Sequence, residues 1–365
     1  MEFLILGALA LVFGATFIDS SGSDTPPPEE EQEEETPTDG GESDGTEIFG
    51  TDGNDTLTGS GNDTVRGGSG RDMIVGTDSA ELRGESGGVS IEARDDALAI
   101  GNSGDDRIST FDSSTGFGGE GNDDIRAYES SQGHGGPDDD ELRARGNSTV
   151  FGDAGDDRII FGQEADAGAT AFGGDGNDSI SFFFDAQGSA DGGEGNDTIE
   201  ATGEATATGG PGDDVIEAAG NSKVLGGTGN DMINVAPGAQ GSGGEGNDTL
   251  TSINESARPI LSAPPGEGPA VLRGDEGNDR FFVTPPAAGE SVTVDGGPGR
   301  DLVYIDAPYA NAPTDTDAGG LMMTGGEGPD TFRVVTDSRI APNFPNELAL
   351  GTITDFNPEE DRILV

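Results

Sequence analysis

Gly192-Gly193-Glu194-Gly195-Asn196-Asp197-Thr198-Ile199 is followed 17 residues later by Gly209-Gly210-Pro211-Gly212-Asp213-Asp214-Val215-Ile216. After another 17 comes Gly226-Gly227-Thr228-Gly229-Asn230-Asp231-Met232-Ile233. With small departures the same string stands at residues 67–74, 118–125, 173–180, 243–250, 274–281, 296–303 and 325–332. Its sixth positions are Asp72, Asp123, Asp178, Asp248, Asp279, Asp301 and Asp330, besides Asp197, Asp214 and Asp231. Looser copies centre on Asp55, Asp63, Asp106, Asp140 and Asp157. One such string marks only a turn. Recurrence at this copy number and a fixed period marks a repeat architecture.

The pattern between the glycine loops defines the repeat. Two residues after each aspartate comes an apolar residue, and two further on an apolar or small one. Ile199 and Ala201 flank Glu200, and Ile216 and Ala218 flank Glu217. Alternation with period two is the mark of a strand with one buried face. A second apolar position lies two residues before the glycine pair, at Val150, Ala171, Ala190, Ala207, Val224, Leu272, Val294 and Met323. A polar turn such as Ala219-Gly220-Asn221-Ser222 separates the two runs. Each 17-residue unit thus reads as glycine loop, strand, plain turn, strand. The expected fold is all-β, a parallel β-roll or β-solenoid whose coils stack because no single coil buries its own core.

Stacking has a chemical consequence. Coils lie about 4.8 Å apart, so each loop aspartate sits above the last, and such carboxylates repel unless a cation lies between them. A hard cation such as Ca²⁺ takes six to eight oxygen ligands. The loop offers a carboxylate and backbone carbonyls. Magnesium, with its strict octahedron, suits this loop less well. Glycine at positions one, two and four is expected to supply positive φ, and Asn at position five to tolerate the left-handed region. The fifteen aspartates named above are the candidate ligands, for on the order of fifteen ions.

These loops resemble the RTX, or haemolysin-type, calcium-binding repeats, with consensus G-G-x-G-x-D-x-U-x, over roughly residues 47–365. The resemblance implies a parallel β-roll with Ca²⁺ held between turns by the sixth-position aspartates and glycine carbonyls. It also implies a bacterial protein that is secreted or displayed at the cell surface and that folds on meeting extracellular calcium. The family's nine-residue repeat would place loops on both edges. The 17-residue period predicts a single calcium column, with a two-sided start where Asp55, Asp63 and Asp72 are spaced by eight and nine. Residues 76–100 lack the motif, and residues 254–270, 306–320 and 337–349 read as insertions. These insertions are read as tolerated loop growth, or as a glycan- or cell-surface-binding face. The final segment, Asp355-Phe356-Asn357-Pro358-Glu359-Glu360-Asp361, reads as a closing coil or as the lead into a secretion tail.

Composition agrees with this reading and excludes others. The chain of 365 residues has 72 acidic and 17 basic residues, a net charge of −55, 65 glycines and no cysteine. Thiolate metal sites and disulfides are excluded. One histidine, His134, rules out multi-histidine zinc sites, and its glycine-flanked position argues against a catalytic triad. Such a charge opposes binding to nucleic acid. The acidic residues recur with the repeat, against a dedicated glycosidase pair. No lysine follows a glycine loop, against a phosphate cradle. No enzyme is read here, although a catalytic part elsewhere in a longer protein and a calcium-dependent adhesin are the alternatives. Residues 1–18 form an apolar segment with residues 3–18 free of charge, read as a membrane anchor or atypical export signal. Residues 19–46, with the prolines Pro26-Pro27-Pro28 and a run of glutamates, read as a disordered linker. Ile180, Phe182 and Phe184 are expected inside the roll and Phe183 outside.

Overall fold

The computed structural model describes residues 45–165, 168–183, 187–253, 268–286, 290–307, 320–336 and 351–365. The expected anchor over residues 3–18, most of the expected linker, Phe184 and the bulk of the three expected insertions lie outside them. Among the described residues there are thirty-two strands and no helix, from Glu47–Phe49 to Arg362–Leu364. They form two parallel 16-stranded sheets whose members alternate along the chain. Consecutive strands thus belong to opposite sheets, and each pairs with the strand one coil away. Thr198–Ala201 pairs with Val215–Ala218, which pairs with Met232–Val235, residue for residue at a 17-residue step. The expected all-β parallel solenoid is what forms.

Period-two alternation sets the sheet faces. Ile199 and Ala201 are fully buried, whereas Glu200 between them faces out. The apolar residue after each aspartate forms a continuous internal column, through Ile108, Ile125, Leu142, Ile159 and Ile180, each at 0% exposure. The facing column from the other sheet holds Val150, Ala171, Ala190 and Ala207. The interior is thin enough that some facing positions must be glycine. A Cβ on Gly133 would come within 2.5 Å of Ile125 Cγ2, and one on Gly116 within 2.8 Å of Ile108 Cγ2. Phe182 is buried against Phe161 with ring centroids 4.0 Å apart, and Phe183 is exposed.

Residues 76–100 stay in the solenoid although they lack the motif. Met73–Gly76, Glu81–Ser86, Ser90–Ala93 and Leu98–Ser103 keep the same pairing and the same step. Up to Asp330, coils longer than 17 residues take up the extra length at the plain-turn edge; the last coil also adds one residue on the glycine-loop side, where Met323 pairs with Ile353 but Thr331 with Arg362. The segment between Thr249–Ser252 and Ala270–Gly277 is one case, and that between Leu302–Ala307 and Gly320–Thr324 another. From Gly67 to Asp330 the glycine-loop edge keeps its spacing, so its register survives every insertion there. Thr352–Ile353 and Arg362–Leu364 add a last coil to the two sheets.

Candidate metal centre

Position six of each glycine loop turns its aspartate inward at the glycine-loop edge. The backbone N–H of one motif aspartate donates to Oδ1 of the next. Asp106 donates to Asp123 at 2.7 Å, Asp123 to Asp140 at 2.7 Å, and Asp197 to Asp214 at 2.7 Å. The ladder holds where coils lengthen, since Asp248 reaches Asp279 across 31 residues at 2.8 Å. It ends on Asp361, whose Oδ1 accepts from Asp330 at 3.0 Å.

The second carboxylate oxygen has no such partner. Oδ2 of Asp72, Asp106, Asp123, Asp140, Asp157, Asp178, Asp197, Asp214, Asp231, Asp248, Asp279, Asp301 and Asp330 is buried without a hydrogen bond. Thirteen buried, unpartnered anionic oxygens in one file would cost several kcal/mol each if left uncompensated. Each lies beside the first glycine of its own loop. A Cβ built on Gly118 would stand 1.9 Å from Asp123 Oδ2 and 2.5 Å from the carbonyl oxygen of Gly135, one coil on. The same point beside Gly209 lies 2.1 Å from Asp214 Oδ2 and 2.6 Å from the Gly226 carbonyl oxygen. Carboxylate and carbonyl oxygens therefore face a common cradle that admits no side chain. An all-oxygen cradle with one anionic donor fits a hard cation such as Ca²⁺. Among the described residues no three Asp, Glu or His side chains are placed to hold a metal ion together. Backbone carbonyls would therefore complete any coordination.

Burial acts on the ionisation of the column. It pushes the Asp140 carboxyl up to about 8, with the charges of Asp123 and Asp157 adding to it against the N–H of Asp123. Asp123, Asp197, Asp231, Asp279 and Asp301 are pushed to about 7 for the same first reason. Asp106, Asp157 and Asp178 are pushed to about 6.

Two of the fifteen candidate ligands stand apart. Asp55 begins the ladder through its N–H to Asp72 Oδ1 at 2.9 Å, but its Oδ2 accepts from the Thr51 N–H and hydroxyl at 2.6 and 2.9 Å. Asp63 lies on the opposite edge. Its Oδ1 accepts from Thr46 N–H at 2.8 Å and its Oδ2 from Ser60 N–H at 3.0 Å, and these bonds hold its carboxyl below the usual range. Asp55 and Asp72 span one ordinary 17-residue coil, and the residue in Asp63's register one coil on is Ala80. The two-sided start goes no further than Asp63.

The loop geometry corrects two conformational expectations. Positive φ falls at positions two and four, as at Gly193 and Gly195 with φ of 113° and 134°, and not at position one. Position one is glycine because Oδ2 and the neighbouring carbonyl leave no room for a Cβ. The Asn at position five is not left-handed either. Its side-chain oxygen accepts the N–H of the next coil, as Asn196 does from Asp213 and Asp213 does from Asn230, both at 2.7 Å. This second ladder runs antiparallel to the aspartate ladder, and the identity Asn-or-Asp at position five was its signal in the sequence.

Sequence reasoning also missed Val89 and Asp361. Val89 stands 17 residues from both Asp72 and Asp106. It keeps the backbone rung to Asp106 Oδ1 at 2.8 Å, but it brings a methyl to the cradle, 2.6 Å from a Cβ built on Gly84. The register alone would have found it. Asp361 closes on itself, its Oδ2 accepting from Asn357 N–H at 2.7 Å.

Residues 41–78, 134–167, 191–219 and 208–239 match the family described as RTX calcium-binding nonapeptide repeat (4 copies). No curated protein matches the chain. Among solved structures, the chain is similar to a hyperactive, Ca²⁺-dependent, β-helical antifreeze protein from an Antarctic bacterium. Identity is 17%, with 82% of this chain and 86% of that chain covered, and the TM-score is 0.36. The aspartate loops within these matched residues have the pattern of the RTX calcium-binding repeat.

Proposed function

We propose that this calcium-binding repeat protein works outside the cell or at its surface, as a non-enzymatic solenoid that folds on taking up Ca²⁺. The observation that supports this most directly is the file of thirteen buried Oδ2 atoms, twelve of which, from Asp72 to Asp301, face a glycine carbonyl of the next coil. Asp72 and the twelve motif aspartates from Asp106 to Asp330 would hold the ions, with Asp55, Asp63, Val89 and Asp361 outside the set. Bound calcium supplies positive charge where stacking brings carboxylates together. Thirteen divalent ions would neutralise about half of the −55 charge.

The chain's own residues do the rest. The Oδ1 rungs fix each carboxylate in one rotamer, and the position-five ladder locks successive loops in register. Positive φ at positions two and four shapes the loop around the cradle. Without the cation, the same column opposes stacking, because each buried carboxylate must be protonated or remain unpaired. A chain made in a low-calcium compartment would then stay extended and fold where calcium is millimolar. The apolar segment at residues 3–18 gives this reading an anchor or export signal. Among the described residues no helix is long and apolar enough to cross a membrane.

The test is circular dichroism of the full chain in excess calcium and after complete chelation, together with titration calorimetry. Calcium-dependent β signal and about thirteen ions per chain are expected. A β signal indifferent to chelation would refute the folding role.

A further inference from the structure

Forces that join coils without a cation are unevenly distributed along the solenoid. All eight arginine–carboxylate ion pairs among the described residues lie between Arg66 and Arg158, and His134 Nδ1 lies 3.2 Å from Asp153 Oδ2 in the same stretch. Several cross from coil to coil on one outer face. Asp124 is reached by Arg107 from the preceding coil at 3.1 Å, by Arg126 of its own strand at 2.8 Å and by Arg143 of the next at 2.9 Å. A shared carboxylate of this kind forms a network, which is worth more than isolated surface pairs.

Ring stacks run along the same coils. On the other sheet's outer face, Phe117, His134, Phe151 and Phe172 form a file with successive centroids 4.7, 4.4 and 5.0 Å apart. At the plain-turn edge, Phe111 stacks on Tyr128 at 4.6 Å, with Arg94 over the first ring at 4.3 Å and Arg145 over the second at 5.4 Å. Aromatic stacking and cation–π contacts both add to burial. The coil carrying Val89 sits in this section and stacks with no carboxylate at its cradle.

The coils from Ser189 to Ser252 have none of this. Among the described residues they hold no ion pair, ring stack or cation–π contact. Lys223 is the one basic residue between Arg158 and Arg258. Glu200 and Glu217 stand in register on adjacent strands, and burial together with Glu217's charge pushes the Glu200 carboxyl up. Their core is small at Ala190, Ala201, Ala207 and Ala218, as it also is at Ala99, Gly116 and Gly133 in the preceding section. Beyond, larger core side chains return at Leu272, Phe281 and Phe332, and Arg333 lies over Tyr304.

Resting on the calcium reading above, we propose that the solenoid responds to calcium in sections. The coils from Ser189 to Ser252 are the calcium-dependent section and open first as calcium falls. The coils from Thr64 to Phe182 stay stacked on their arginine network and ring files. A repeat array permits this, because each coil is stabilised only by its neighbours and cooperativity breaks at the weakest run.

Hydrogen–deuterium exchange of the full chain, read by peptide mass spectrometry across buffered free-calcium levels, tests the proposal. Peptides within residues 189–252 are expected to lose protection at a several-fold higher free calcium than peptides within residues 98–161. Equal midpoints for the two sections, or the reverse order, overturn it. Equilibrium dialysis with Ca²⁺ on the same sample separates the two readings. Full occupancy with uniform exchange removes only the sectional response, whereas no bound calcium removes the calcium reading itself. A double variant sharpens the test. Arg126→Gln with Arg143→Gln should raise the midpoint of peptides within residues 115–161 toward that of residues 189–252 with the ion count unchanged. An unmoved midpoint refutes the role of the network.

Discussion

Asp197 N–H donates to Asp214 Oδ1 at 2.7 Å, and Asp214 Oδ2, on the same carboxylate, is buried with no partner. One side chain thus does two separable things. One oxygen is a structural rung, and the other is a free anionic donor.

Substitution separates the two. Asp214→Asn keeps a carbonyl oxygen for the rung and removes the anion, so calorimetry should show one fewer Ca²⁺ per chain with the solenoid intact in excess calcium. Asp214→Ala also orphans the Asp197 N–H, at a further cost of about 1–3 kcal/mol. Asp63→Asn, on the opposite edge, should leave the ion count unchanged.

The glycine at position one guards the cradle. A Cβ on Gly118 would stand 1.9 Å from Asp123 Oδ2 and 2.5 Å from the Gly135 carbonyl oxygen. Gly118→Ala should abolish the local ion and lower the calcium-saturated melting temperature. Gly53→Ala, whose nearest contact is 3.5 Å from Thr51 Oγ1, should change the melting temperature little.

Val89 is a gap in the column that one substitution should fill. Its rung and its facing carbonyl, Gly101 oxygen at 2.7 Å from the Gly84 Cβ position, are already in place. Val89→Asp should add one Ca²⁺ per chain. It should also destabilise the chelated protein, by burying a carboxyl where a valine now packs.

Acidity should act oppositely on the two forms of the protein. Burial raises Asp140 to about 8 and Asp123 to about 7, from an ordinary 3.8. A raised pKa favours the ion-free fold while the group is protonated, and that advantage is lost as pH climbs from about 4 through 8. The chelated chain should therefore show more β signal near pH 5 than near pH 8. In the presence of calcium the order inverts, because protons compete for the same oxygens. The calcium midpoint should rise as pH falls from about 8 to about 6.

The sequence by itself determined the parts of this protein that follow from period and spacing. A 17-residue step with two period-two runs leaves the parallel solenoid as the way to bury Ile199 and Ala201 while exposing Glu200. The recurrence of glycine loop and aspartate marks the column in the sequence alone. Repeat proteins are legible in this way because every contact is a neighbour contact at a constant offset.

Tertiary structure decided what depends on the edge a residue occupies and on what sits one coil away. Asp63 matches the motif locally, yet it falls on the plain-turn edge, where its oxygens cap Thr46 and Ser60. Val89 breaks the motif yet holds its place, because the rung to Asp106 needs only a backbone N–H. Position one is glycine for lack of space and position five is Asn or Asp for a hydrogen bond, and both reasons lie in the adjacent coil. Which carboxylate oxygen is satisfied and which is left free is a relation between coils, and only stacking brings those partners together.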